Sequence, residues 1–421
     1  MKAPAKFIAA AALAGLLLRL AFALWYWVDK PLMKDEQEYL LLATRVATGH
    51  GFTYPASATS DGFFERPPGF VVLLATTLVP TQDALVTTAV PDNLDSLPRT
   101  SSGIPTAIKV VQCLIGTIVI LLVAALAGRA GGPRAAKLGA LAAAVYPPIA
   151  WVSGYVLSEP LYSALALGTV WFLLRAGDDA GASRLRLGGI AGLLAGAALL
   201  TKEAMLFFLP LAALWLVWHK QRRLLVGFAA GVAIIVLPWI ARNYVVHQQF
   251  ILTAAHGGVT LWTGNNPLAH GEGDLAANPI MGQARRALEA QHPALSNQEM
   301  DDVYYAAALD FVRQHPGRWL ILEARKLFYT FVPIGPSYTL HSNRYFVTSL
   351  VAYGLLAPFA VVGLWQLWRR PGPSPLWALG ILALSSIVVC LVFFPQERFR
   401  IPVLDPAAIV AAAVALSSWG R

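Results

Sequence analysis

The side chains best suited to acid–base chemistry in this sequence are carboxylates at the borders of apolar segments. Asp35 and Glu36 follow the first apolar segment, and Glu159 is the only acid between Asp95 and Asp178. A positioned carboxylate can accept the proton of an attacking hydroxyl group. Asp35, Glu36 and Glu159 are therefore the candidate catalytic residues, with Asp35 as the base and the other two as supporting carboxylates.

Basic side chains stand at similar borders. Lys202 follows one apolar segment, Arg242 closes another, and Arg398 and Arg400 flank Phe399 in a short polar interruption. Ionisable groups at membrane depth are costly and usually functional. Because fixed cations stabilise the charge that a leaving phosphate gains, bases beside carboxylates predict chemistry on a phosphate-linked lipid.

Each of these residues also allows a plainer interpretation. The acids after the first apolar segment could simply complement a helix dipole. Lys202 and Arg242 could extend towards lipid phosphates, and Arg398 and Arg400 could anchor the chain at the membrane interface. The sequence leaves these alternatives open, and only the coincidence of acids and bases on one side of the membrane favours a site.

The composition indicates that these residues are carried by membrane-spanning segments. Apolar residues fill 57% of the 421 positions and charged residues only 13%, against roughly 25% in an ordinary soluble protein. Apolar stretches of membrane-spanning length recur along the chain, which excludes a soluble enzyme, a DNA-binding protein and a disordered scaffold. The net charge of +9 predicts no nucleic-acid partner, because the bases lie mostly in short loops between apolar segments.

The sequence predicts an all-α polytopic membrane protein, a bundle of about ten transmembrane helices in a lipid bilayer. The first apolar stretch is too long for a signal peptide and is expected to be retained. The predicted spans are 7–28, 106–128, 137–152, 160–175, 187–200, 204–218, 224–241, 345–368, 376–394 and 401–418.

Charge asymmetry predicts the orientation of these spans. With the N-terminus inside, the inner segments hold fourteen basic residues and only two acids, Asp178 and Asp179. Because this satisfies the positive-inside rule, both termini are predicted to be cytoplasmic. Two large outer segments follow, at about 29–105 and 242–344, within a single domain that covers 1–421.

Two stretches of the outer segments have patterns typical of a membrane surface. The apolar stretch 67–80 has 14 residues, fewer than the roughly 17–25 that a crossing needs. It is expected to lie in or dip into the outer face of the membrane without crossing. The stretch near 300–330 predicts an amphipathic helix in the interface plane.

Seven short motifs occur in order at the predicted outer ends of the spans. They are Asp35-Glu36 with Tyr39; Glu65-Arg66-Pro67-Pro68-Gly69; Leu157-Ser158-Glu159-Pro160; Leu200-Thr201-Lys202; Pro238-Trp239-Ile240-Ala241-Arg242-Asn243-Tyr244; Gly257-Gly258-Val259 with Leu261-Trp262 and Gly264-Asn265-Asn266-Pro267; and Glu397-Arg398-Phe399-Arg400-Ile401-Pro402. Together they resemble the GT-C superfamily of integral-membrane glycosyltransferases, in particular bacterial relatives of protein O-mannosyltransferases and the lipid A aminoarabinose transferase.

The resemblance implies an inverting transfer of a sugar from a polyprenyl-phosphate-sugar donor to a hydroxyl acceptor. It places the active site on the periplasmic face of a bacterial inner membrane. It implies that Asp35 is the catalytic carboxylate, helped by Glu36, and that Arg66 contacts the donor phosphate. The expected phosphate-binding residues are then Arg66, Lys202, Arg242, Arg398 and Arg400. The expected substrate-loop residues are Tyr39, Glu65, Asn243, His256, Asn265 and Asn266.

The acceptor and the metal requirement are less well defined. No large soluble domain follows the last predicted span, so a protein, a lipid A, a cell-wall polymer and an O-antigen all stay open as acceptors. No D-x-D motif stands beside Asp35, and the eight histidines show no metal-ligand spacing. We therefore expect neither a metal nor another cofactor, although metal dependence varies across the superfamily.

A flippase for lipid-linked sugars, or another transporter, is the competing interpretation. Transporters also place charges in the membrane, and they often carry inverted repeats with broken helices at the midplane. The sequence shows no such repeat, and its charges lie near one face of the predicted bundle. The large outer segments favour an enzyme over a transporter.

Overall fold

The computed structural model describes residues 2–52, 66–78, 100–179, 181–254, 256–273, 278–334, 343–371 and 374–419. These residues fold almost entirely into helices, which confirms the expected all-α membrane architecture. The helices are α1 (Lys2–Ala21, extended by a π-helical turn at Phe22–Tyr26), α2 (Lys34–Ala47), α3 (Pro68–Leu78), α4 (Thr106–Val145), α5 (Pro147–Trp151), α6 (Glu159–Asp178), α7 (Gly181–Leu199), α8 (Met205–Trp218), α9 (Arg222–His247), α10 (Gly257–Gly264), α11 (Pro279–Ala290), α12 (Asn297–Gln314), α13 (Pro316–Phe331), α14 (Asn343–Trp368), α15 (Trp377–Val392), α16 (Glu397–Arg400) and α17 (Leu404–Ser418).

Four of the described helices are long and apolar enough to cross a membrane. They are the N-terminal helix over Pro4–Tyr26, α4, α9 and α14. Shorter apolar helices of 10–17 residues are α3, α8, α15 and α17. These lengths place an apolar helix at most of the expected spans, and the count of ten crossings stays a prediction.

The 40 residues of α4 form two antiparallel arms and not one straight rod. Gly132 has a φ of +78°, a conformation that favours glycine, and Pro133 follows it. A Cβ on Gly139 would lie 2.9 Å from the Cβ of Ala127, so the two arms pack against each other without space for a larger residue. The arms occupy the expected spans 106–128 and 137–152, except that the second ends at Val145.

Arg19, a charge buried in the first span, caps the second arm of α4. Its guanidinium donates to the carbonyls of Ala143 at 3.1 Å and Ala144 at 3.2 Å. Those carbonyls would normally accept from the amides four residues later, but Pro147 and Pro148 have no N–H. Arg19 therefore replaces the two missing backbone donors, and its role is structural.

Close glycine contacts join α7 to α9. A Cβ on Gly192 would lie 2.1 Å from the carbonyl oxygen of Phe228, and one on Gly227 would lie 2.3 Å from that of Leu185. Small residues let membrane helices approach until their backbones touch. Since Lys202 follows α7, this contact also fixes the end of the helix from which Lys202 projects.

The segments predicted to be inside meet at one end of the bundle. Arg129 pairs with Asp178 at 2.5 Å and donates to the carbonyl of Pro375 at 2.9 Å. Arg370 donates to the carbonyl of Ala130 at the same end. Three predicted inner loops therefore converge there, while the candidate catalytic residues lie together elsewhere.

Two expected boundaries in the second outer segment are wrong. The helix expected near 300–330 is broken at Pro316 into α12 and α13, because proline cannot donate its amide within a helix. The helix α9 continues to His247, six residues past the expected end of its span at 241.

The stretch 67–80 does contain a helix, and the 11 residues of α3 extend only about 16 Å, well short of a bilayer core of about 30 Å.

Candidate active site

A cavity of about 760 Å³ lies where the ends of α2, α6, α7, α15 and α16 meet. One part of its wall carries the charged side chains of the outer motifs. Another part is apolar, and a third part is built by the second outer segment. The charged side chains suited to acid–base chemistry or to phosphate binding are Asp35, Glu38, Arg66, Glu159, Lys202 and Arg398.

Asp35 is held between two arginines. Arg66 donates to its Oδ1 at 2.5 Å, and Arg398 donates to its Oδ2. Arg66 also donates to Oε2 of Glu38, through Nε at 2.8 Å and Nη2 at 2.5 Å. Two carboxylates and two guanidiniums thus form one continuous network at the charged end of the cavity.

The charges around Asp35 keep its carboxyl group ionised. Burial alone would raise the pKa of Asp35, but the guanidiniums of Arg398 and Arg66 outweigh that effect. They hold the pKa below the usual range of an aspartate. Asp35 is therefore a charged acceptor at neutral pH, and its basicity depends on what the two arginines contact.

Glu159 and Lys202 form the second ion pair of the cavity. Lys202 Nζ donates to Oε1 of Glu159 at 2.8 Å, and the Glu159 side chain is almost fully buried. Lys202 also lies 5.1 Å from the ring centroid of Phe399, which Arg398 approaches at 5.5 Å. A lysine and an arginine therefore lie near the same aromatic ring, and cation–π attraction helps to place both.

The start of α2 sets the direction of Asp35. Residues 35, 38 and 39 are three and four apart, so they share one face of the helix, and all three line the cavity. Glu36 points elsewhere and does not line it. Its carboxylate accepts from the backbone N–H of Met33 at 3.0 Å and of Val156 at 2.8 Å. Glu36 thus ties the start of α2 to the segment that precedes α6.

In this structure Glu36 therefore anchors the helix that carries Asp35, and its expected part as a supporting catalytic carboxylate stays a prediction. Its side chain is 1% exposed. Burial raises the pKa of Glu36 to about 7, and the two backbone N–H donors limit that rise. Each oxygen of this carboxylate accepts from a backbone amide, and the side chain does not line the cavity.

Tyr39 lies between the Asp35–Arg66 network and the Glu159–Lys202 pair and contacts a neighbour of each. Its hydroxyl donates to Oγ of Ser158 at 3.3 Å, beside Glu159. Its ring packs edge-on against Phe70 of α3 at 4.9 Å, and Arg66 lies 5.4 Å from the ring centroid. Tyr39 was expected in the substrate loops, and it does line the cavity.

An apolar wall continues from the charged end of the cavity. It consists of Leu206 and Phe207 from the start of α8, Val389 from α15, and Phe393 and Phe394 beyond it. Such a surface accommodates hydrocarbon, whereas a sugar alone would leave it without a matching apolar partner. The cavity therefore joins a charged site to a lipid-compatible one.

The second outer segment supplies a polar end to the same cavity. Glu203 accepts from the hydroxyl of Thr253 at 2.6 Å, and its other oxygen lies 3.6 Å from Nε2 of His256. Asp301 accepts from the amides of Gly258 and Val259 at 2.9 and 3.0 Å, and so caps α10. His256 was expected to face the substrate and lines the cavity as expected.

Two of the expected phosphate-binding arginines do not line the cavity. Arg242 donates to the side chain of Asn243 at 3.0 Å and to the carbonyl of Phe52 at 3.1 Å. Arg400 is buried against Asp405, with Nε 2.8 Å from Oδ1. Both expectations assumed that every basic residue near the outer face points to one site, whereas helical geometry turns these two away from it.

Three asparagines expected in the substrate loops support the backbone instead. Asn243 donates to the carbonyl of Ile251 at 3.0 Å, and Asn265 donates to the carbonyl of Val392 at 2.9 Å. Asn266 donates to the carbonyl of Trp262 at 2.7 Å. All three are buried and none lines the cavity. Glu65, the remaining expected residue, lies outside the described part of the chain.

Glu38 is one of the charged cavity residues that the sequence motifs did not single out. It is 5% exposed, binds Arg66, and lies 3.4 Å from Lys34 at the oxygen that Arg66 does not use. Its spacing of three from Asp35 on a helix was the available signal. Among the described residues no group of three or more His, Cys, Asp or Glu side chains could hold a metal ion, and the expected independence from metal stays a prediction.

Residues 103–244 match the family model described as dolichyl-phosphate-mannose-protein mannosyltransferase. The chain also superimposes on the oligosaccharyltransferase AglB from Archaeoglobus fulgidus, solved with an inhibitory peptide and a dolichol-phosphate. The TM-score is 0.59 at 17% identity, over 98% of this chain and 50% of AglB. ArnT from Cupriavidus metallidurans, bound to undecaprenyl phosphate, gives a TM-score of 0.57 at 17% identity, over 99% of this chain and 60% of ArnT. A comparison with curated protein sequences found no significant match.

These comparisons establish the class of fold. The chain has the fold of the GT-C membrane glycosyltransferases, and the expected resemblance to O-mannosyltransferases and to the aminoarabinose transferase is confirmed. The chain spans only half to three-fifths of the length of the two solved proteins. The part shared with them is nearly the whole of this chain, 98–99% of it.

Proposed function

We propose that the protein is a glycosyltransferase that moves a sugar from a lipid-phosphate donor to a hydroxyl acceptor. The observation that carries this proposal is the position of Asp35 between Arg66 and Arg398, at the head of a cavity with an apolar wall. The arginines suit a phosphate, the wall suits a lipid chain, and the carboxylate suits an acceptor hydroxyl.

The two solved proteins with the same fold support a lipid phosphate as part of the donor. AglB was solved with a dolichol-phosphate, and ArnT with undecaprenyl phosphate. Both ligands combine a phosphate with a polyprenyl chain, which is the combination that the charged and apolar walls of this cavity match. We extend this substrate class, a polyprenyl-phosphate sugar, to the present chain.

Donor binding would exchange charged partners within the site. Arg66, Lys202 and Arg398 each contact a carboxylate, so the phosphate must compete with Asp35, Glu38 and Glu159 for the same donors. A phosphate that takes over part of the contacts of Arg66 and Arg398 lessens their hold on Asp35. The pKa of Asp35 then rises towards its ordinary value, and Asp35 becomes a better base when the donor is in place.

The transfer itself is a single displacement. The carboxylate of Asp35 accepts the proton of the acceptor hydroxyl while the oxygen of that hydroxyl attacks the anomeric carbon of the sugar. The bond from that carbon to the phosphate oxygen breaks, and the oxygen leaves with the electron pair on the lipid phosphate. Arg66, Lys202 and Arg398 stabilise the growing negative charge. Attack opposite to the leaving group inverts the anomeric configuration.

We place this reaction on the outer, periplasmic face of a bacterial inner membrane. The support is the separation of charged groups along the bundle. Arg129, Asp178 and Arg370 come from predicted inner segments and lie together at one end, whereas the charged cavity is built by the predicted outer segments. The positive-inside rule makes the first end cytoplasmic. Both termini would then be cytoplasmic, and the acceptor would be a component of the cell envelope.

A donor-cleavage assay tests the proposal. Purified protein in lipid vesicles receives undecaprenyl phosphate carrying a radiolabelled hexose or pentose, together with an envelope extract as the source of acceptor. We expect free undecaprenyl phosphate and label in the acceptor fraction, and neither with the Asp35→Asn variant. Movement of intact labelled lipid between leaflets without cleavage would instead indicate a flippase.

A further inference from the structure

The short helix α16 turns its arginines in different directions. Residues two apart in a helix point about 200° from each other, whereas residues three apart share a face. Arg398 accordingly lines the cavity and contacts Asp35. Glu397 and Arg400 share the other face and do not line the cavity.

That other face is fixed to two long helices. Arg400 Nε lies 2.8 Å from Oδ1 of Asp405 in α17, and the two side chains are 3% and 0% exposed. The Arg400 guanidinium lies 4.1 Å from the ring centroid of Tyr353 in α14. Glu397 accepts from the hydroxyl of Ser349, also in α14, at 2.8 Å. Three contacts on one face thus hold a helix of four residues.

Stability alone gives a weak reason for this buried ion pair. Desolvation of two charges offsets most of their attraction, and apolar residues of similar volume are often as stable or more so. What the Arg400–Asp405 ion pair provides is a buried charge contact that holds the side chain of residue 400 against the start of α17, with Nε 2.8 Å from Oδ1. Because the Tyr353 ring holds the same guanidinium, the two contacts restrain residue 400 and with it the backbone of Arg398, two residues earlier in α16.

We propose that the Arg400–Asp405 pair is a positioning device that aims Arg398 at the lipid phosphate of the donor. The inference rests on the proposed function, since it assigns Arg398 to that phosphate. The pair touches neither substrate nor Asp35, and it acts only through the backbone of α16. Lys202 and Arg398 both lie near the Phe399 ring of α16, so a displaced α16 would disturb both cations.

The magnitude of the effect follows from geometry. A misplacement of about 1 Å in a charged contact can cost about 10²-fold in rate. For binding alone we expect a smaller loss, about tenfold in the Kd for undecaprenyl phosphate, which corresponds to about 1.4 kcal/mol. Removal of Arg398 itself should cause at least this loss.

A double-mutant cycle on undecaprenyl phosphate binding tests the proposal. The four proteins are the unaltered chain, Arg400→Met with Asp405→Leu, Arg398→Ala, and all three substitutions together. We expect the apolar replacement to weaken binding about tenfold when Arg398 is present and by less than twofold when Arg398 is already alanine, because the pair acts through Arg398. Asp178→Asn, which breaks the Arg129 pair at the opposite end, is the control and should leave the Kd unchanged.

The outcomes separate this inference from the proposed function. An equal loss in both backgrounds, or no loss in either, overturns the positioning role and leaves the donor proposal standing. No binding of undecaprenyl phosphate by the unaltered chain overturns the donor proposal and the positioning role with it. If the apolar variant does not fold, the same cycle with Arg400→Lys decides, since lysine keeps the charge but loses the planar fork of the guanidinium.

Discussion

Arg398 contacts the carboxylate of Asp35 although 363 residues separate the two in the chain. One lies at the start of the helix that follows the first apolar helix, and the other lies in the turn before the last one. The candidate active site is therefore complete only when both ends of the chain have assembled. A reporter of this contact measures the assembly of the whole bundle as well as the state of the site.

Removal of the cavity cations should slow transfer without unfolding the protein. Arg66→Ala and Lys202→Ala are each expected to lower kcat/KM for the donor by about 10²–10³-fold, because a preorganised donor to the leaving oxygen is lost. Arg186→Ala and Lys220→Ala, which remove exposed cations outside the cavity, are matched controls and should retain normal turnover. Normal turnover in Arg66→Ala and Lys202→Ala would show that these cations serve lipid contact and not the donor.

The sequence was sufficient for the kind of fold and for the charged cavity residues Asp35, Arg66, Glu159, Lys202 and Arg398, but it did not single out others, such as Glu38, Arg285 and Asp301. Asp35, Lys202 and Arg398 could be found because each stands where an apolar helix ends. The sequence could not separate Arg398 from Arg400, because the direction of a side chain depends on where a four-residue helix begins. The sequence also could not show how Glu36 supports Asp35, since only the fold brings the amide of Val156 to the Glu36 carboxylate.

The acid limb of the pH profile should depend on Arg398. The pKa of Asp35 is lowered, so its carboxylate stays charged until the pH falls below the usual range of an aspartate. Arg398→Ala removes one of the two lowering charges and should move the acid limb of kcat/KM to higher pH. Between pH 4 and 8 the unaltered protein should show no acid-side fall in kcat/KM from Asp35, whereas Arg398→Ala should lose kcat/KM at the acid end of this range. No greater acid-side loss in Arg398→Ala than in the unaltered protein would contradict the role of Arg398 as a partner of Asp35.

Glu36→Gln should affect stability more than catalysis. One oxygen becomes an NH₂ group, so one of the two backbone amides loses its acceptor, at a cost of about 1–3 kcal/mol. The thermal unfolding midpoint should fall, while kcat of the folded protein stays within a few-fold of normal. A large loss of kcat with an unchanged unfolding midpoint would restore Glu36 to a direct role in transfer.

The contact between α7 and α9 predicts a sharp difference between two glycines. Gly192→Ala places a Cβ 2.1 Å from the carbonyl of Phe228, so the helices must separate and the unfolding midpoint should fall by several degrees. Gly177→Ala, near the end of α6, meets no atom within 4 Å and should be neutral or slightly stabilising. Equal midpoints for the two variants would show that the close approach of the helices is absent.

The central claim is that Asp35 accepts the proton from the acceptor hydroxyl, and Asp35→Asn tests it most directly. The amide keeps the shape of the side chain but removes the charge, so single-turnover transfer from a labelled polyprenyl-phosphate sugar should slow by about 10²–10⁴-fold. Donor affinity should persist, because Arg66 and Arg398 lose a competitor for the phosphate. Transfer at the normal rate would contradict the claim, as would a loss confined to Glu159→Gln, which would place the base at Glu159.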